Sequence, residues 1–283
     1  MNKRVCIIYT GGTIGMVPTR DGYQPKEGYF SGELEKIRDL YSDAMPKWDL
    51  IEYDPLLDSS NITYVQWNRM ANTIKENYER YDGFVILHGT DTMAYSASAL
   101  SFMLEGLKKP VIFTGSQIPL YELRSDGRDN LITSLMIAAN SDIHEVCLYF
   151  GNHLIRGNRA VKTSADGLIA FSSPNYPVLA KAGIDIEYFP NRFLPEPKEP
   201  FRVNGDETHI HRCHQIVPGN SLRSLCANRQ QGSSGPGSGN LWHRKHSELR
   251  FGASAAHQQG YRKRHRRGGM HAVHAGNRSS GHL

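Results

Sequence analysis

The sequence reads as an α/β domain built around a doubly wound parallel sheet, and three observations carry that reading. Short apolar runs alternate with amphipathic stretches of helical length up to about residue 188. The first run, Val5-Cys6-Ile7-Ile8-Tyr9, is apolar throughout and reads as a buried strand. Turns rich in glycine, hydroxyls and carboxylates follow directly on several runs, at the strand ends where open α/β sheets bind ligands.

The elements follow in chain order. Strands are expected over 4–9, 50–53, 83–88, 111–114 and 145–150, each a short run of large apolar residues. Helices are expected over 31–40, 63–81, 92–107 and 130–139. The second helix opens on Thr63-Tyr64-Val65-Gln66, a capping box in which hydroxyl and amide side chain satisfy two orphan backbone donors. Pro190, Pro195, Pro197 and Pro200 then crowd a segment that can continue neither a helix nor a central strand, so it reads as an extended linker. The expected organisation is a domain over 1–188, a linker over 189–208 and a separate segment over 209–283.

At 283 residues, 39% apolar and 22% charged, the chain is long enough for real cores, which excludes wholesale disorder and fibrous classes. The longest apolar runs fall far short of the ~20 residues a membrane helix needs, so a soluble protein with no membrane partner is expected. The opening apolar stretch is too short for a secretory core, which points to a cytoplasmic address. Cysteines at 6, 147, 213 and 226 show no paired spacing and read as isolated thiols, with no metal and no cofactor expected.

Charge divides the chain. Up to residue 208 there are 21 basic against 27 acidic residues; beyond it there are 12 against 1, with 10 of the 13 histidines. Past Thr208 the periodicity vanishes, and the segment holds too little apolar surface to fold.

Four constellations could carry chemistry. Thr10-Gly11-Gly12-Thr13-Ile14-Gly15 follows the first strand; it is a close-approach turn or simply a tight strand-to-helix connection, and it is neither a GxGxxG nor a P-loop motif. Tyr23, just downstream, can fold back over it. His88-Gly89-Thr90-Asp91-Thr92 ends the third strand, where Thr90 or Asp91 could equally cap the next helix. Asp58-Ser59-Ser60 follows the second strand and suits a zwitterionic ligand, or forms an ordinary Asx turn. Lys162 lies in a basic stretch after the fifth strand, either as surface charge or as a desolvated base. A threonine hydroxyl needs a neighbour to take its proton, and Thr13 with Tyr23, and Thr90 with Asp91 and Lys162, would supply two activated hydroxyls.

TGGTIG at 10–15, HGTDTMAY at 88–95, TGSQIPL at 114–120, LRSDGRDN at 123–130 and RGNR with Val161-Lys162 together resemble the bacterial type I, cytoplasmic L-asparaginases over roughly residues 3–200. The resemblance implies hydrolysis of the side-chain amide of L-asparagine to L-aspartate and ammonia, without metal or cofactor. It implies that Thr13 is the nucleophile that forms an acyl-enzyme and that Tyr23 assists it. Thr90, Asp91 and Lys162 match a second triad that activates Thr90 or the attacking water. Asp58, Ser59 and Ser60 match the loop for the substrate α-carboxylate, and Asp91 pairs with the α-ammonium. Backbone donors of these turns would hold the oxyanion. Family members carry a second, smaller α/β domain and assemble as homodimers or homotetramers whose neighbouring subunits complete each site.

That second domain is not recognisable here; a non-native, disordered tail is expected over 209–283. Codons chosen for the printed residues and read from the second base permit FIAVIKLFPGI over 210–220, ETYGTGNIPN over 239–249 and SGIVVVGCTQCMQGT over 263–277. One offset gives all three, in the family's order, which suggests a one-base frame error near codons 208–211. The tail's histidines and arginines then have no metal or nucleic-acid role. A chain lacking that domain, with its subunit interface and allosteric asparagine site, is expected to have poor solubility and little activity. Three other readings compete: the asparaginase-like subunit of a tRNA amidotransferase, disfavoured because no extension precedes the first strand; an inactive asparagine-binding remnant; and a nucleic-acid-binding protein using the patch 261–267.

Overall fold

The computed structural model describes residues 3–20, 22–26 and 28–204. The basic tail, its frame reading and two of the four cysteines lie outside the described residues.

The chain begins with β1 (Arg4–Gly11), a hairpin of β2 (Met16–Thr19) and β3 (Gly22–Pro25), α1 (Tyr29–Glu35), β4 (Lys47–Leu57) and α2 (Tyr64–Asn77). It continues through β5 (Gly83–Leu87), α3 (Met93–Met103), β6 (Leu104–Glu105), β7 (Val111–Thr114), α4 (Gly127–Ala138) and β8 (Val146–Phe150). Short strands follow: β9 (His153–Arg156), β10 (Val161–Lys162), β11 (Phe171–Ser172), β12 (Ala180–Ala182), β13 (Ile186–Tyr188) and β14 (Arg202–Val203).

Eight strands form the main sheet in the order β13-β12-β9-β8-β7-β5-β1-β4. Strands β4, β1, β5, β7 and β8 run parallel, as expected. The sheet is nevertheless mixed, because β9, β12 and β13 extend it antiparallel. Alternate residues of β1 face different helices. Cys6 and Ile8 pack with Met70 and Ile74 of α2 and Leu100 of α3, whereas Val5, Ile7 and Tyr9 pack with Phe30 and Leu34 of α1 and Leu131 and Leu135 of α4. Helices therefore cover both faces, and a central strand buried on both sides must be apolar at every position. Each such Ile or Leu contributes about 2 kcal/mol by burial.

The chain goes from β1 to β4 on one side and returns to β5 on the other, so β1 and β5 flank the switch point where such sheets open a crevice.

Local details differ from expectation for physical reasons. Helix α1 stops at Glu35, since Ile37 turns extended and buries its side chain with Leu40 in the α1 face of the core. Helix α3 ends at Met103, where Leu104–Glu105 pairs with Arg202–Val203 instead of continuing the helix. The capping box on α2 is present: Thr63 N–H donates to Gln66 Oε1 at 2.8 Å and Val65 N–H to Thr63 Oγ1 at 3.4 Å. Cys6 and Cys147 are free and buried, and burial pushes the Cys6 thiol up to about 12, far from a reactive thiolate.

The proline-rich segment after β13 is held against this body. Arg156 pairs with Glu145 at 2.6 Å and also donates to Arg192 O at 2.7 Å, while Leu194 N–H donates to Glu145 Oε1 at 2.9 Å. Further on, Phe201 stacks on Tyr78 with ring centroids 3.8 Å apart.

Candidate active site

Four turns at the carboxyl ends of β1, β4, β5 and β7 meet because glycines let their backbones touch. Gly12, at φ +94°, has the Gly89 nitrogen 2.5 Å from where a Cβ would stand, so a side chain at 12 would force the turns after β1 and β5 apart. Gly11, at φ +129°, abuts Leu57 O in the same way, 2.3 Å from a Cβ position, which draws in the turn after β4. A Cβ on Gly115 would lie 2.4 Å from His88 O, which joins the β7 turn to the group. Hydrogen bonds fasten the same contacts: Thr10 Oγ1 donates to Leu87 O at 2.8 Å, and Leu120 N–H donates to Ile14 O at 2.9 Å.

His88 anchors the β5 turn from beneath. Its Nδ1 lies 2.7 Å from Gly89 O, and since a carbonyl only accepts, Nδ1 carries the proton. Nε2 then accepts from Ser96 Oγ at 2.9 Å, and Ser96 Oγ accepts from Trp67 Nε1–H at 2.8 Å. The chain of bonds is complete with a neutral imidazole. Burial pushes this histidine down to about 4, although the Gly89 carbonyl pulls the other way.

On that support Thr90 is buried at 7% exposure, and Lys162, brought in by β10, donates to Thr90 Oγ1 at 2.9 Å and Asp91 Oδ1 at 2.8 Å. Thr90, Asp91 and Lys162 are thus one hydrogen-bonded cluster, although 70 residues of chain separate Lys162 from the other two. Thr13 opens the single helical turn Thr13–Gly15, immediately after the Gly12 contact. Ser59 is buried; its backbone oxygen accepts from Thr92 Oγ1 at 2.7 Å, and its Oγ would lie 2.3 Å from a Cβ on Gly89. Asp58 caps the Ser59–Asn61 turn by accepting from Ser60 N–H at 2.9 Å, and Ser60 is exposed.

Tyr23 stands on β3 beside the Thr13–Gly15 turn. Half exposed, it donates its hydroxyl to Glu122 Oε1 at 3.0 Å. Sequence reasoning missed two residues. In the sequence His88 stands out only as part of a motif and Gln117 only as part of a resemblance, yet Gln117 Oε1 accepts from Thr90 Oγ1 at 3.2 Å. The side-chain length of Gln117 and its place one turn beyond a strand end were the available signals.

Among the described residues no group of three or more His, Cys, Asp or Glu side chains is placed to hold a metal ion, and no helix is long and apolar enough to cross a membrane. The converging turns offer two hydroxyls, of Thr13 and Thr90, the Lys162 ammonium and the carboxylates of Asp58 and Asp91, groups of the kind that acyl transfer uses.

Comparison with known proteins bears on this arrangement. The family profile described as asparaginase, N-terminal, matches residues 4–193. The chain is 56% identical over 184 residues to L-asparaginase 1 of Escherichia coli strain K12, covering 65% of this chain and 54% of that protein. It is 32% identical over 229 residues to the L-asparaginase of Thermococcus kodakarensis, covering 79% of this chain and 67% of that one. The crystal structure of L-asparaginase I from Vibrio cholerae superposes with a TM-score of 0.68 at 52% identity, covering 72% of this chain and 61% of that one. The chain spans about half the length of the Escherichia coli relative. Names among further relatives carry both a cytoplasmic and a periplasmic address.

Proposed function

This chain belongs to the asparaginase family, and we propose that its convergent turns form a hydrolytic site for L-asparagine, releasing L-aspartate and ammonia. The observation that carries the reading is the Thr90–Asp91–Lys162 cluster, with Lys162 Nζ 2.9 Å from one hydroxyl and 2.8 Å from one carboxylate.

In this reading Thr13 Oγ1 attacks the side-chain amide carbon, and backbone N–H groups of the Gly12–Thr13 and Gly89–Thr90 turns stabilise the oxyanion. Collapse expels ammonia, which takes up the proton that Thr13 gives away, and leaves an acyl ester on Thr13. Water, aligned by Thr90 with Lys162 behind it, attacks that ester and restores the hydroxyl. Tyr23 assists Thr13 once its own hydroxyl exchanges Glu122 for the nucleophile. Asp91 faces the substrate ammonium, and the Ser59–Ser60 turn, capped by Asp58 through the Ser60 N–H, holds its carboxylate. No metal or organic cofactor enters these steps.

The intact enzyme is a cytoplasmic homodimer or homotetramer in the same proposal; light scattering and cell fractionation test those parts. Ammonia release from L-asparagine by the full chain tests the chemistry. In keeping with the little activity expected of it, the full chain releases ammonia slowly but measurably, and Thr13→Ala and Thr90→Ala each bring the rate down to background without loss of fold. A wild-type chain with no turnover, or a Thr13→Ala chain with full turnover, overturns the proposal.

A further inference from the structure

Gln117 sits where three parts of the site meet, and its amide has one possible orientation. Its nitrogen lies 3.1 Å from Ala165 O and 3.2 Å from Gly167 O, two carbonyls that can only accept, so the NH2 must face them. The oxygen therefore faces Thr90, 3.2 Å from Oγ1. Lys162, an obligate donor, already gives a hydrogen bond to that hydroxyl oxygen. Thr90 must then send its single proton to Gln117, and of its two lone pairs one takes the lysine and one is left for an incoming donor.

The amide is anchored at its other end as well. Asp126 accepts from the Gln117 backbone N–H at 3.0 Å and from the Ile118 N–H at 3.0 Å, and Asn130 Nδ2 donates to both Asp126, at 3.2 Å, and Gly115 O, at 3.0 Å. The turn after β7 is thereby a fixed post. From it, one side chain reaches the Thr90 turn on one side and the loop following Lys162 on the other. That loop is otherwise closed by Thr163 N–H and Ser164 N–H on Ala170 O, at 2.8 and 3.2 Å, and by Gly167 N–H on Ser164 Oγ at 2.9 Å.

We propose that Gln117 is a positioning residue of this site: its amide sets the direction of the Thr90 proton and ties the Lys162-bearing loop to the Thr90 turn. The inference rests on the hydrolytic reading for its catalytic consequence, while the tie itself stands on the hydrogen bonds. Replacement by leucine removes both functions. Replacement by glutamate keeps an acceptor toward Thr90 but sets an oxygen against two carbonyl oxygens, so it keeps the first function and loses the second.

The test uses the full chain in three forms: wild type, Gln117→Leu and Gln117→Glu. Amide hydrogen exchange is expected to quicken at least ~10-fold at Thr163, Ser164 and Gly167 in both variants, with α4 unchanged. In ammonia release, kcat falls ~10–100-fold in Gln117→Leu and less in Gln117→Glu, while KM for L-asparagine stays within ~3-fold in both. Unchanged exchange in the loop overturns the tie, and a KM effect as large as the kcat effect overturns the positioning role. A wild-type chain without turnover sinks the hydrolytic reading alone, and the exchange experiment still decides the tie.

Discussion

At the carboxyl ends of the parallel strands, Lys162 meets Asp91 at 2.8 Å with side chains 21% and 64% exposed; at their amino ends, Arg156 meets Glu145 at 2.6 Å with side chains 13% and 3% exposed. The lengths are nearly equal and the surroundings are not. Water reaches Asp91, so that pair contributes little to stability and is free to serve chemistry. Glu145 is sealed, and every oxygen it has is used: Arg156 takes both, and the Leu194 N–H shares one. Arg156 in turn lies over the Tyr176 ring at 4.3 Å and reaches Arg192 O, so the pair knots β8 and β9 to the segment that follows β13. In the proposed reading one pair is a tool and the other a fastening, and exposure rather than distance tells them apart.

Substitutions at the two ends should therefore have opposite signatures. The largest effect is expected from Lys162→Met, which lowers ammonia release about 10³-fold, equivalent to about 4 kcal/mol in the barrier, while a urea titration detects less than ~1 kcal/mol of lost stability. A variant that unfolds as readily as it loses activity would erase the contrast. Next comes Glu145→Ala, which strands a buried guanidinium and costs about 3–5 kcal/mol in the same titration with KM unchanged. If that midpoint barely moves, the fastening role fails.

The third test concerns His88, which belongs to both roles because it is a buried support directly under the Thr90 turn. Its folded-state value is about 4 against the ordinary 6.5. The unfolded chain therefore binds a proton that the folded chain refuses between those limits, and stability is complete above pH 6.5 and lost as pH falls toward 4, by about 3 kcal/mol. Unfolding midpoints measured from pH 7 to pH 4.5 should fall more steeply for wild type than for His88→Asn. Equal slopes would remove His88 from the account.

Much of this was legible in the sequence, and the gaps have causes. Strands β1, β5, β7 and β8 announce themselves because burial on two faces demands unbroken apolar runs, as in Gly83–Leu87. Strands β9, β12 and β13 have three or four residues each, with mixed exposure, so no period could emerge. The β2–β3 hairpin is largely exposed and leaves no apolar trace. Within the site, motifs at strand ends exposed Thr13, Thr90 and Asp91, and Lys162 stood out in the basic stretch after the fifth strand; its hydrogen bond to Thr90 across 71 intervening residues is a matter of tertiary folding. Gln117 escaped because a lone glutamine has no characteristic spacing, and only the carbonyls of Ala165 and Gly167 reveal its orientation.

Among the described residues strand β4 is bonded to β1 alone in the main sheet, so its other side is a row of backbone groups onto which a strand from another molecule could add. Eleven residues is long for such a margin. Asp49, Glu52 and Asp54 put charges along it, and Pro55 offers no N–H for an added strand to accept. The same stretch that delivers Asp58, Ser59 and Ser60 to the crevice thus carries its own guard against fibrous stacking of one copy on the next.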